Sequence, residues 1–192
     1  GEDRLPCQPP LPDGVKEVYG LTADCSLHIK GSSSETEEPT CFIGGTLMVA
    51  AYDVVLQDIK LDGRSVGEIA PSISAVSTSS HNVEDTVFAM LRCEVMNTSS
   101  MGLDLWSDKV ILVDCEVHHN GNQNLGICGS SSSYIRNLCS HHSNQDYGDT
   151  GTEGIYLSGG DHHFYGSETS ISSSPLGIYI NHGAHVFLHS LH

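Results

Sequence analysis

One short pattern of apolar and polar positions recurs along the chain. A run alternating apolar, any, apolar is followed by a polar corner, a second short apolar stretch and a turn rich in Asn, His and Gly. Aligned on the middle apolar residue, the copies fall at Leu56, Met90, Leu112, Ile135, Phe164 and Phe187, in steps of 34, 22, 23, 29 and 23 residues. Alternation with period 2 is the pattern of a strand that buries one face, and each run is too short for a helix. A period near 22–23 residues, twice lengthened, predicts an all-β solenoid in which each coil buries its apolar side only against its neighbours.

This reading divides the chain into two parts. Residues 1–24 are Pro-rich and acidic and read as a lead-in or cap; residues 25–192 carry the coils, with insertions at about 63–85 and 144–153. Two sets of columns follow from stacking like on like. One runs through the "GL" and "GI" starts, Leu103, Ile127, Ile155 and Ile178, and continues two residues on at Leu105, Gly129, Leu157 and Ile180. The other aligns Val110, Leu112 and Val117 with Phe88, Met90 and Val95 and with Ser133, Ile135 and Ser140. Cys93 and Cys115 join Ile59 and Leu138 as small buried hydrophobes.

Segments such as "LGICGSSSSYIRNLCSHHSN" and "LGIYINHGAHVFLHSLH" follow the gist "GI.L....-V.I.NN.I..N". Repeats of this kind resemble the right-handed parallel β-helix of the pectin-lyase-like superfamily. The resemblance covers roughly residues 25–192. It implies a right-handed parallel β-helix, and it leaves function open. That superfamily holds lyases, glycoside hydrolases, epimerases, esterases, tailspikes, adhesins and structural surface proteins. The paired aspartates and "GHG"-like segment of its polygalacturonases are missing here, as is the "DPH" segment of its alginate epimerases.

Charge narrows the partners. With 8 Lys and Arg against 24 Asp and Glu, a formal net charge of −16, the chain lacks the cations that nucleic-acid binding requires. Polyanionic sugars are disfavoured unless a divalent cation bridges them. No stretch approaches the 18 apolar residues of a membrane span. Of seven cysteines, Cys7, Cys25 and Cys41 could hold a disulfide in a secreted protein; an odd total leaves at least one thiol over.

Three constellations carry candidate chemistry. On the outward side of the "GI" strand, Asp104, Cys128, Tyr156 and Tyr179 should form one column, and Trp106, Ser130, Ser158 and Asn181 the next. Trp106, Tyr156, Tyr179 and Asn181 are the expected glycan contacts. Were the face catalytic, Asp104 with Asp146, Asp149 or Glu153 would act as acid and base on a glycosidic bond. The second constellation is histidine: His118/His119 and His141/His142 at matching positions of adjacent coils, then His162/His163, His182, His185, His189 and His192. His119 and His142 are the candidate ligands for zinc, copper or nickel. The sequence favours a turn-ladder role for this set, with His replacing Asn. Stacked exposed imidazoles would repel one another on protonation near about pH 6.5.

The third is a column of Glu94, Glu116, Cys139 and Glu168, preceded by Asp58, Asp114 and Asn137. Like charges in adjacent coils need solvent or a cation between them. Ca2+ would suit the hard oxygens, although no ligand-loop motif is present. Apart from these metal ions, no cofactor is indicated. The last coil ends at "HVFLHSLH" without a polar cap, so its partner is either more of a longer chain or a second copy stacked head to tail. The expectation is an extracellular structural or glycan-binding β-helix, self-assembling into a filament or surface appendage. The alternative is a glycoside hydrolase or polysaccharide lyase.

Overall fold

A computed structural model describes residues 21–22, 26–31, 41–44, 47–50, 53–63, 74–78, 85–98, 100–130, 132–143 and 153–189. Their regular structure is strand, in three sheets whose pairings are all parallel. The first sheet orders β1 (Leu21–Thr22), β4 (Leu47–Ala50), β7 (Ser74–Thr78), β10 (Met101–Leu105), β13 (Leu125–Cys128), β16 (Glu153–Ser158) and β19 (Leu176–Asn181). The second orders β2 (Leu27–Lys30), β5 (Asp53–Gln57), β8 (Val87–Leu91), β11 (Lys109–Val113), β14 (Ser132–Arg136), β17 (Asp161–Tyr165) and β20 (His185–His189). The third holds β3 (Cys41–Gly44), β6 (Ile59–Asp62), β9 (Glu94–Met96), β12 (Glu116–His118), β15 (Cys139–His141) and β18 (Ser170–Ser172).

Chain order therefore cycles through the three sheets, and each strand pairs with the strand three places on. This arrangement is compatible with a parallel β-helix. β1 falls within the stretch read as a lead-in, and β7 within the polar stretch 63–85.

Alternation places the core between the sheets. In β11, Val110 and Leu112 are buried while Lys109, Ile111 and Val113 face outward. Leu56, Met90, Leu112, Ile135 and Phe164 form one continuous inner column, none more than 1% exposed. The columns expected through Val110, Leu112 and Val117 are present in register, as is the buried set Ile59, Cys93, Cys115 and Leu138. Each such layer removes apolar area from water at about 25 cal/mol per Å2.

Three expected alignments are corrected. Phe164 pairs with Leu188, and Phe187 with His163. A slip of one residue moves Phe187 from the core to the outer face; "VFL" offers apolar residues at both parities, so the sequence pattern was ambiguous there. In the first sheet Leu125, rather than Ile127, joins Leu103 and Ile155, and Ile127, rather than Gly129, joins Leu105 and Leu157. A slip of two keeps every side chain on its face, so period-2 patterning cannot detect it. Finally, Ser170 and not Glu168 follows Cys139 in the third sheet. The corner Gly166–Thr169 is two residues longer than the corner Asn137–Leu138 in the layer before.

The corners themselves are left-handed. Asp58, Arg92, Asp114 and Asn137, with φ of 55°, 51°, 53° and 50°, turn the chain from the second sheet into the third, and Gly166 at 91° does so one layer on. Asn97, His119, His142 and Ser173, with φ of 58°, 52°, 50° and 51°, end successive strands of the third sheet. Past His119, a buried polar network fixes the next corner. Asn120 Oδ1 accepts from Thr98 N and Oγ1 at 3.1 and 2.9 Å, and Asn120 Nδ2 donates to Asn124 Oδ1 at 2.9 Å. Asn124 Nδ2 donates to Ser140 Oγ at 3.1 Å and to the His141 carbonyl at 3.0 Å. Gly102 packs so closely on this network that a Cβ there would lie 2.6 Å from Asn120 Nδ2.

Candidate functional sites

The outer side of the first sheet carries an aromatic strip. Its register puts Asp104, Gly126, Tyr156 and Tyr179 in one column, so Gly126 replaces the expected Cys128, and the Met101 side chain covers it. Cys128 pairs with Ser158, and Ser158 with Asn181, in the next outward column. Ser130, expected beside Trp106, is instead buried, with its hydroxyl donating to the Ser107 carbonyl. Trp106 is 43% exposed, and its Nε1–H donates to Asp104 Oδ1 at 2.9 Å, which fixes the indole against the strand. Tyr156 and Tyr179 stack at 5.7 Å.

Of the expected acid–base partners of Asp104, Glu153 alone lies among the described residues. Asp146 and Asp149 lie outside the described residues. Glu153 opens β16, two strands across from Asp104 and three residues short of its column. Strand geometry then separates the two backbones by about 14 Å.

The outer side of the second sheet holds a second aromatic platform that the sequence reading missed. Tyr134 and Tyr165 stack at 4.7 Å, Tyr165 and His189 at 4.4 Å, and His163 and Phe187 at 4.6 Å. The register error at Phe187 concealed it. His162 and His163, taken as a turn pair, sit on opposite faces of β17: His163 joins this platform, and His162 is fully buried.

The histidine pairs at the turns do align. His118 stacks on His141 at 4.8 Å and His119 on His142 at 4.5 Å. His118 Nε2 lies 3.0 Å from Glu94 Oε1, and His141 Nε2 lies 2.8 Å from Glu116 Oε1. Lys60 holds Glu94 at 2.7 Å. Burial alone would raise the Glu94 pKa, but the hydrogen bonds and charges of Lys60 and His118 outweigh it and hold the carboxyl below its ordinary value.

Beside this column an open groove of about 380 Å3 is lined by Arg92, Glu94, Asp114, Glu116, Asn137 and Glu168 with Cys93 and Cys115. Three of its four carboxylates are engaged by side chains: Glu94 as above, Asp114 by Asn137 at 2.8 Å, and Glu116 by His141. The groove offers Ca2+ an acidic lining without an uncommitted set of oxygens among these three.

Burial raises the thiols of Cys93 and Cys115 to about 11 and about 12, and burial with the nearby Asp104 raises Cys128 to about 11. At neutral pH these are thiols, not thiolates, and therefore poor nucleophiles. The disulfide expected among Cys7, Cys25 and Cys41 falls outside the described side chains. No helix among the described residues is long and apolar enough to cross a membrane. Comparison with protein-family models, with curated proteins and with solved structures finds no match for this chain.

Proposed function

We propose that the chain is an extracellular, right-handed parallel β-helix of pectin-lyase-like type that binds glycan along the outer side of its first sheet. The observation that carries this reading is the fixed, half-exposed Trp106 indole on the same face as the stacked Tyr156–Tyr179 pair. Flat ring faces held rigidly by a sheet suit the C–H faces of sugar rings, and Asn181 supplies a polar group at the strip's edge. The acidic balance, −16 overall, favours a neutral or cationic glycan over a polyanionic one. Thiols buried and held protonated are compatible with an oxidising exterior.

Binding to an immobilised glycan panel tests this. Trp106→Ala and Tyr179→Ala should each weaken binding by about tenfold or more while leaving melting temperature and circular dichroism unchanged. No bound glycan, or binding indifferent to both changes, would overturn the reading. Release of reducing sugar, lost in Asp104→Asn, would replace a binding module by a hydrolase.

A second part of the proposal is end-to-end assembly. β19 and β20 present Leu176, Ile180 and Leu188 at 49%, 49% and 61% exposure, an apolar floor that a further β layer would cover, supplied either by more of a longer chain or by a second copy stacked head to tail.

A further inference from the structure

Two consecutive layers carry His–His at the same corner: His118–His119 and His141–His142. The flanking layers fill these positions with Met96–Asn97 on one side and Ser172–Ser173 on the other. All four corners share a left-handed second residue. The backbone therefore needs no imidazole at this corner. Asn and Ser meet its demand elsewhere in the same chain, so a turn-ladder role leaves four histidines unexplained.

Their geometry is that of a ligand cage. Within each layer the rings stand nearly perpendicular, at 83°, and between layers they stack at 15° and 10°. His118 Nδ1 faces His119 Nδ1 at 2.6 Å, and His141 Nδ1 faces His142 Nδ1 at 2.7 Å. One ring nitrogen from each of His118, His119 and His141 lies within 4.8 Å of the others.

The outer nitrogens settle the tautomers of the two inner rings. A carboxylate only accepts, so His118 and His141 donate Nε2–H to Glu94 and Glu116, and each keeps a lone pair on Nδ1. A carboxylate behind the far ring nitrogen is the usual support of a metal-ligating histidine: it orients the ring and raises its basicity. The support extends further, because Lys60 holds Glu94 and the buried Asn124 holds the His141 backbone.

We propose that this cage binds one late first-row divalent cation, zinc before copper or nickel, between the two layers. The ligands are Nδ1 of His118, His119 and His141, with His142 completing the set. Two nitrogens at bonding distance from a tetrahedral zinc are about 3.3 Å apart. Binding thus opens the 2.6 Å contact between His118 and His119 by less than the width of an atom, through rotation of the exposed His119. The ion would tie adjacent layers together. The site lies at the C-terminal ends of β12 and β15 in the third sheet and does not depend on the glycan reading of the first.

The test uses the untagged chain, stripped with chelator and dialysed against Zn2+, with bound metal counted by mass spectrometry and affinity measured by calorimetry. The double variant His119→Asn/His142→Asn installs a side chain that already occupies the same corner at position 97. A control, His163→Asn/His189→Asn, removes two imidazoles from the second sheet. Wild type and control should retain one zinc per chain and melt at higher temperature with it. The double variant should bind about a hundredfold more weakly and lose the zinc-dependent rise, and Glu94→Gln should bind about tenfold more weakly. Absence of retained zinc in the wild type, equal losses in double variant and control, or binding lost in Cys139→Ser but kept in His119→Asn would overturn the proposal.

Discussion

His162 shows how far one residue can depart from its neighbours in sequence. Its column is Val54, Phe88 and Val110 in the earlier layers, then Ser133 and His162. Nε2–H donates to the Gly159 carbonyl at 2.7 Å, so Nδ1 accepts from the Ser133 hydroxyl at 2.9 Å. Both polar groups are satisfied only while the ring is neutral. Burial lowers the His162 pKa; the Gly159 hydrogen bond and Asp161 oppose it, and His163 adds to it. The unfolded ring titrates near 6.5, so above that pH neither state gains a proton and the native state keeps its full stability. As pH falls below about 6.5 the unfolded chain takes up a proton that the native one resists, and up to about 1.4 kcal/mol is lost per pH unit until the folded pKa is reached. The variant Ser133→Ala/His162→Val replaces a bonded polar pair with apolar groups, a change near neutral at pH 7.5. Between pH 7.5 and 5.5 it should lose less stability than the wild type in urea melts. Equal losses would refute the assignment. Sequence alone did not separate His162 from His163, because a dipeptide cannot say which of two adjacent residues faces inward.

The elements were legible as strands, and what failed was register and corner chemistry. The column through Val117 could be read because polar Glu116 and His118 flank it, and the column through Leu112 because the 22- and 23-residue steps to Met90 and Ile135 repeat. Register in β13 and β20 could not, since a two-residue slip is silent and "VFL" is apolar throughout. The corners were harder still. Arg92 is not a residue that announces a left-handed turn, yet it adopts one. Corner side chains also stabilise the step to the neighbouring layer: Arg92 Nε donates to the buried Asp58 at 2.7 Å, and Asn137 Nδ2 to Asp114 Oδ1 at 2.8 Å. At Asp114 the two effects can be separated. Asp114→Asn keeps a residue tolerant of positive φ and an acceptor for Asn137, and loses only the exposed contact with Arg136. It should change stability by no more than about 0.5 kcal/mol. Asp114→Val removes the acceptor and places a β-branched side chain at φ 53°, at a cost of about 1–2 kcal/mol for the backbone alone. Equal urea midpoints for the two variants would mean that the corner does not require its conformation.

Among the described residues each strand pairs with the strands three places before and after it in the chain, and where layers stack in this way stability is approximately a sum of local pairings, the outermost being the weakest. Inner layers bury Leu112, Ile135, Leu125 and Ile127 completely, whereas Ile180 and Leu188 of the last layer are about half exposed. Exchange of backbone amides should therefore follow position. In dilute solution β19 and β20 should exchange about tenfold or more faster than β13 and β14, a difference of about 1.4 kcal/mol in opening free energy. If a second copy covers this floor, raising the protein concentration should slow exchange in β19 and β20 and leave β13 and β14 unchanged, because mass action protects only the layer being covered. The pair Ile180→Lys/Leu188→Lys puts charge on the floor, at positions stacked on Leu157 and Phe164, and it should erase that concentration dependence. Exchange in β19 and β20 that ignores concentration in the wild type would remove the assembly half of the proposed function. The glycan face, on a different surface of the same layers, would still stand or fall on Trp106 and Tyr179.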